Sequence, residues 1–185
     1  MSELIATPGQ TIGPFFGYAL PYEGGPELVP AGHAQAIRLT GRVLDGAGEP
    51  IPDALIELWQ ADASGTIVQS PGSVHRDGWT FTGWGRAATD NAGVYTFTTV
   101  EPGIVDGSTA PWFALTVFAR GLLNRLFTRA YLPHDGLADD PLMQSVDAER
   151  RSTLTAVPDN TGYTFDIRLQ GPDETVFLRF PSHTD

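Results

Sequence analysis

The chain has 185 residues and a formal net charge of -11 at pH 7. An acidic surface repels a phosphate backbone, so this charge argues against nucleic acid as a partner. Cysteine is absent, which excludes disulfides and thiolate chemistry. The 21 glycines and 15 prolines favour many turns over long helices, and the length suits one well-buried core. We therefore expect a single all-β domain.

Residues 1–5 lack the basic head and the long apolar segment of a secretory signal. No apolar run approaches the length that a membrane span requires. These features predict a cytoplasmic protein with no membrane partner.

Residues 1–36 are rich in proline and glycine, which disfavours helix, but they also contain aromatic side chains such as Phe15 and Phe16. Such groups are costly to leave in water. We expect an N-terminal arm over residues 1–36 that packs on its own domain or on a partner, followed by one β-sandwich domain over residues 37–185. A partly disordered terminus is the alternative.

Apolar runs separated by turn residues predict strands along the rest of the chain. Residues 37–44 and 55–59 flank the turn at 45–48, which predicts a first hairpin. Residues 85–89 and 94–100 flank the turn at 90–93, which predicts a second. Four further strands are predicted at residues 112–120, 125–132, 163–169 and 175–180. The expected architecture is an antiparallel β-sandwich with long loops, of which residues 66–85 form the longest.

One short helical stretch is expected near residues 141–155, because Asp140 can cap a helix that has Pro141 in its first turn.

In the strand at 112–120, alternation places Trp112, Ala114 and Arg120 on one face. The other face, which begins with Phe113, is expected to lie against the core.

Searching the sequence for familiar catalytic or metal-binding patterns finds none. The four histidines, at positions 33, 75, 134 and 183, are not spaced like metal ligands on one strand or helix. Nucleophile-elbow, phosphate-loop and dinucleotide-binding motifs are also absent from the sequence. Composition and spacing alone thus predict a β-sandwich without an active site of its own.

Seven short motifs in chain order resemble the intradiol ring-cleavage dioxygenases. They are QTIGPF at 10–15, LWQADASG at 58–65, GWGR at 83–86, TDNAG at 89–93, VEPG at 100–103, FARG at 118–121 and YTFDI at 163–167. Together they span most of the chain, and this series is far more specific than any single match. The resemblance implies a β-sandwich that takes part in the cleavage of catechols by dioxygen.

Catalytic members of that family hold a ferric ion with two tyrosines and two histidines. The resemblance places these four ligands at positions 67, 105, 112 and 114, where this chain has Ile67, Val105, Trp112 and Ala114. None of these side chains offers the phenolate or imidazole that a ferric centre takes from a protein. We therefore expect this chain to bind no metal and no other cofactor.

The resemblance is strongest to alpha subunits of heteromeric members, in which a homologous beta subunit carries the Fe(III). It implies a higher hetero-oligomer of alpha–beta pairs that acts on an aromatic acid bound at a shared site. Three residues of the arm, Thr11, Gly13 and Pro14, are expected to line the substrate cavity of the partner. Arg120 is expected to add positive charge near the substrate carboxylate, although it could instead fill this chain's own vacant iron position or pair with an acid.

A non-enzymatic binding or structural module derived from the same fold is the alternative. A self-sufficient dioxygenase with displaced ligands is disfavoured, because no other set of tyrosines and histidines in the sequence has the required spacing.

Overall fold

The computed structural model describes residue 13 and residues 15–69 and 76–180. Nine strands form most of the regular structure. They are β1 (Ile37–Leu44), β2 (Leu55–Trp59), β3 (Trp84–Ala88), β4 (Val94–Thr99), β5 (Trp112–Phe118), β6 (Leu126–Tyr131), β7 (Val157–Pro158), β8 (Gly162–Thr164) and β9 (Ile167–Arg168). The helical elements are α1 (Phe16–Ala19), α2 (Pro141–Ser145) and two 3-10 segments, Leu137–Asp139 and Ala148–Leu154.

The strands form two sheets that face each other across one core. The first has the order β4-β1-β8-β7 with β9 also paired to β1, and the second has the order β3-β2-β5-β6. Leu39 and Phe97 from the first sheet and Leu58 and Leu115 from the second are fully or almost fully buried in the same cluster. The predicted β-sandwich is confirmed, and it is mainly antiparallel, with parallel pairing of β1 to β8 and β9.

Both predicted hairpins are wrong. Strand β1 pairs with β4, and β2 pairs with β3 and β5, so β1–β2 and β3–β4 are each connections between the two sheets. Pro50 and Pro52 follow β1 and remove two backbone donors, so the chain cannot return as a full strand beside it. The Thr89 hydroxyl fastens the two crossings together, since it accepts from Ala54 N at 2.9 Å and donates to Ile51 O at 2.8 Å.

The chain's last two predicted strands also differ from the structure. The run at 163–169 is divided into β8 and β9, because the side chain of Asp166 rather than a backbone carbonyl accepts from Arg42 N at 2.8 Å. The run at 175–180 is not a regular strand, although Thr175 N and Leu178 N donate to Arg168 O and Phe127 O.

The helical stretch predicted near 141–155 is present as α2 and the following 3-10 segment. Asp140 caps α2 as expected, since its Oδ1 atom accepts from Leu142 N at 3.0 Å and Met143 N at 3.4 Å. Helix α1 was not predicted. It is a single turn with no side-chain cap, which is too short to give a periodic signal in the sequence.

The described part of the arm contacts the domain. Phe16 is 7% exposed, and the backbone N–H of Leu28 donates to Thr98 O of β4 at 2.8 Å. Thr11 and Pro14 lie outside the described residues. The division into an arm over 1–36 and a domain over 37–185 stays a prediction.

Within the described ranges, no helix is long and apolar enough to cross a membrane.

Gln60 links the two sheets at the end of β2. Its side chain is buried and donates to Val100 O at 2.9 Å and Ala61 O at 3.0 Å, while its oxygen accepts from the Thr99 hydroxyl. Gln60→Leu should therefore lower the free energy of unfolding by about 2–3 kcal/mol, since the hydroxyl of Thr99 and the carbonyl of Val100 lose their hydrogen-bond partner. Urea unfolding measures this, with Gln35→Leu at an exposed glutamine as the control. If Gln60→Leu had the same free energy of unfolding as the wild type, the role of Gln60 as a link between the sheets would be contradicted.

Candidate functional site

The outer face of the second sheet, which points away from the core, carries the positions that the sequence singled out. Along β5, the buried residues alternate with half-buried ones, so Trp112 and Ala114 lie on this outer face while Phe113 and Leu115 fill the core. The alternation predicted for this strand is confirmed. The register places Trp59 of β2 and Arg129 of β6 on either side of Ala114.

Part of the outer face is covered by the arm. Tyr22 stacks on Trp84 with the ring centres 6.1 Å apart. Arg86 forms a 2.6 Å ion pair with Glu57 and donates to Leu20 O at 2.7 Å. These contacts close the β3 side of the face. Trp59, by contrast, remains 46% exposed beside Ala114.

The remaining two expected ligand positions lie in loops. Ile67 forms an isolated bridge with Ala61 and is half exposed, and Val105 follows β4 in a loop that is partly buried. A hydrogen bond of 2.8 Å from Gly103 N to Asp62 O joins the two loops. The residues at these four positions are therefore carried by β5 and by two loops that contact each other.

These residues do not fit a ferric ion. The Cζ atom of Arg129 lies 3.8 Å from the centre of the Trp112 ring, so a permanent cation stands beside two of the expected ligand positions. The indole N–H of Trp112 is a buried donor with no acceptor among the described residues, and a donor favours an anion over a cation. No group of three or more His, Cys, Asp or Glu in the described ranges could hold a metal.

A buried network holds Arg129 in place. Its Nη1 atom donates to the Tyr131 hydroxyl at 2.8 Å, and that hydroxyl donates to Oδ1 of Asp140 at 2.7 Å. Asp140 also accepts from Ser108 and Thr109 through its other oxygen. This series of hydrogen bonds, from the guanidinium of Arg129 through the phenol of Tyr131 to the carboxylate of Asp140, thus ties β6 to the start of α2.

The pKa values of this network follow from those contacts. Burial, followed by the hydrogen bond to Asp140, raises the pKa of Tyr131 well above its ordinary value, so this side chain stays a neutral phenol. Burial alone would raise the pKa of Asp140, but hydrogen bonds from Ser108 and Tyr131 outweigh it and hold that pKa below its ordinary value. Asp140 is therefore ionised at neutral pH.

Arg120 and the arm lie together at the other end of β5. Arg120 follows β5 and forms an ion pair with Asp53, while its side chain remains 59% exposed. A Cβ atom on Gly17 of α1 would lie 3.9 Å from Asp53 Cβ, and Gly13 O accepts from Phe16 N at 3.3 Å. Arg120 lies six positions after Ala114, about 20 Å along an extended chain, so the residue that reaches the expected iron position is Arg129.

The sequence-based analysis missed Arg129, because the signal in the sequence was incomplete. Alternation along β6 puts Arg129 and Tyr131 on one face, but only the register of β5 and β6, with Arg129 opposite Ala114, shows that this is the face of Trp112. Two aspartates in the motifs that resemble the dioxygenase family stabilise turns. Asp62 Oδ1 accepts from Ser64 N at 2.8 Å, and Asp90 Oδ1 accepts from Ala92 N at 2.8 Å.

Comparisons with known proteins agree with this architecture. Residues 12–171 match the family model described as Dioxygenase. The chain is 39% identical over 197 aligned residues to the protocatechuate 3,4-dioxygenase alpha chain of Burkholderia cepacia, covering 96% of this chain and 99% of that one. It is 35% identical over 164 residues to the beta chain of the enzyme from the same organism, covering 78% of this chain and 68% of that one.

Among solved structures, the dioxygenase domain of a dioxygenase and carbohydrate-binding protein fusion from Streptomyces sp. SirexAA-E has the same fold. The TM-score is 0.59 at 25% sequence identity, and the match covers 89% of this chain and 98% of that one. The family model and the alpha chain relative cover nearly the whole span in which the motifs occur. The chain therefore belongs to the intradiol ring-cleavage dioxygenase family.

Proposed function

We propose that this chain is the alpha subunit of a heteromeric, cytoplasmic protocatechuate 3,4-dioxygenase. The assembly cleaves 3,4-dihydroxybenzoate with O2 between the two hydroxylated carbons, which gives 3-carboxy-cis,cis-muconate. The observation that carries the proposal is the combination of near full-length similarity to an alpha chain with the side chains Ile67, Val105, Trp112 and Ala114 at the four ligand positions.

A homologous beta subunit supplies the Fe(III) in this proposal, and the pairs assemble into a higher hetero-oligomer. The outer face of this chain supports that division of labour, because Arg129 adds a positive charge and Tyr131 stays a neutral phenol there. The beta chain relative supports the existence of such a partner. This chain shapes the substrate cavity and the assembly.

The N-terminal arm forms one wall of the substrate cavity of the partner. Gly13 lets backbone approach a planar aromatic acid closely, Pro14 fixes the direction of the chain, and Thr11 offers a hydroxyl. Arg120 adds positive charge for the substrate carboxylate. Helix α1 lies beside the Asp53 partner of Arg120, which supports a common location for the arm and this guanidinium.

Three large aromatic side chains of the arm and the long loop support an interface. Phe15, Tyr18 and Trp79 are 76%, 87% and 94% exposed in this chain. Three other aromatic side chains of these segments are packed on the chain itself: Phe16 is buried, Phe81 packs against the core and Trp84 stacks on Tyr22. An obligate partner that buries the first three removes their cost in water.

Co-expression with a homologue that retains the two tyrosines and two histidines tests the proposal. The two chains should co-elute, and only the co-purified material should consume O2 with protocatechuate. If this chain were a soluble, compact monomer at high concentration and did not bind the homologue, that result would contradict the proposal. It would favour the non-enzymatic module.

Arg120→Ala in the assembled enzyme should raise the KM for protocatechuate roughly five- to tenfold, because a charge-assisted contact to the substrate carboxylate is lost. The kcat should change little, and unsubstituted catechol, which has no carboxylate, should be unaffected. Steady-state O2 uptake with both substrates measures the difference. Arg125→Ala at another exposed arginine is the control. An equal loss with both substrates would show that Arg120 acts only through the fold.

A further inference from the structure

Because Ala114 is a small residue between two large ones, we expect a depression around it on the outer face of the second sheet. The small methyl group of Ala114 is its floor, with Trp59 on one neighbouring strand and Arg129 on the other. Since adjacent strands lie about 4.8 Å apart, the Cα atoms of Trp59 and Arg129 are separated by about 10 Å. Two large side chains that stand this far apart over an alanine leave room for one planar ring.

Arg129 brings an unneutralised charge to this depression. Its one hydrogen bond to the described chain is the 2.8 Å contact to Tyr131, and no carboxylate of the described residues lies within ion-pair distance of it. The guanidinium has five N–H donors in a fixed fork, which matches a carboxylate in a two-bond arrangement. Its stacking on Trp112 and its bond to Tyr131 fix the guanidinium in advance, so little freedom is lost when an anion binds.

We propose that Arg129, Trp112, Trp59 and Ala114 form a binding site on this chain for a small planar aromatic carboxylate. The guanidinium receives the carboxylate, Ala114 leaves space for the ring, and the exposed indole of Trp59 offers a surface on which the ring stacks. Beside the position at which the family's iron would supply positive charge, this chain thus carries a guanidinium. A metal ion there would need anionic ligands from the protein, whereas the guanidinium binds an anion from solution. This inference does not depend on the partner in the proposed function.

Counting benzoate sites by equilibrium dialysis tests the proposal on the complete protein, in whatever assembly it purifies. The wild type should bind one more benzoate per copy of this chain than Arg129→Gln does, with affinity for that site at least roughly tenfold weaker in the variant. A site on a partner is common to both samples and cancels in the difference. Benzamide, which has the same shape without the charge, should not compete.

Two further variants separate the site from general surface charge. Arg125→Gln removes a guanidinium that also lies over a ring, 5.0 Å from the centre of Phe127, and should leave the count unchanged. Ala114→Leu keeps Arg129 and fills the floor, so it should lose the extra benzoate even if Arg129→Gln proved unstable. An unchanged count in both Arg129→Gln and Ala114→Leu, or an equal loss in Arg125→Gln, would overturn the proposal.

Discussion

Gly13→Val in the assembled enzyme should lower kcat/KM for protocatechuate by about 10- to 100-fold, with iron content and subunit ratio unchanged. Among the residues that the structure describes, nothing lies within 4 Å of a Cβ atom built at Gly13, so the substitution does not disturb the packing seen there. The loss arises where the added side chain intrudes on the space that the ring occupies in the partner's cavity, because small displacements of a bound substrate cost large factors in rate. Steady-state O2 uptake, together with iron analysis, measures the effect.

Gly32→Val is the matched control for this experiment. Gly32 belongs to the same arm and is exposed, and a Cβ atom built there would also have no atom of the described ranges within 4 Å. It shares the backbone cost of replacing glycine with a β-branched residue but not the expected position at the cavity. If Gly13→Val turned over protocatechuate as efficiently as Gly32→Val, the arm would contribute packing only.

Asp140→Ala should lower the free energy of unfolding by about 2–4 kcal/mol. The carboxylate is 1% exposed and accepts from the hydroxyls of Ser108 and Tyr131 as well as from the first backbone N–H groups of α2. Alanine removes the helix cap and leaves the Tyr131 hydroxyl without its acceptor, and each loss costs about 1–2 kcal/mol. Urea unfolding at neutral pH measures the change.

The pH dependence of stability provides a second readout for Asp140. Because its pKa in the folded chain lies below the ordinary value, the unfolded chain takes up the proton first as pH falls. The stabilisation is present above the ordinary carboxyl pKa of about 4 and is lost as pH falls through the folded value. Asp140→Asn should therefore flatten the decline in stability below about pH 4, whereas Asp173→Asn at an exposed site should not. An equally steep decline in Asp140→Asn would contradict this assignment.

The sequence predicted strands better than their pairing. Alternation and turn residues located β1, β2, β4, β5 and β6, because each strand has one face against the core and is bounded by glycine or proline. Pairing was wrong at β1–β2 and β3–β4, since it was inferred from proximity along the chain. In a sandwich, neighbours in sequence often belong to opposite sheets, and only tertiary contacts such as those of Thr89 decide between a hairpin and a crossing.

The candidate site was predicted in part, for a similar reason. The loss of phenolate and imidazole at positions 67, 105, 112 and 114 can be read directly from residue identity. The cation beside them could not, because Arg129 is distant in sequence from Ile67 and Val105 and reaches Trp112 only through the register of β5 and β6. The pairing of Arg120 with Asp53 likewise joins residues that are far apart along the chain.

Iron analysis is the most direct test of the claim that this chain is the half of the assembly without the metal. The co-purified assembly should contain one iron per alpha–beta pair, and this chain, separated from its partner, should contain none and show no tyrosinate-to-iron absorption in the visible. Stoichiometric iron with that absorption in the separated chain would contradict the account.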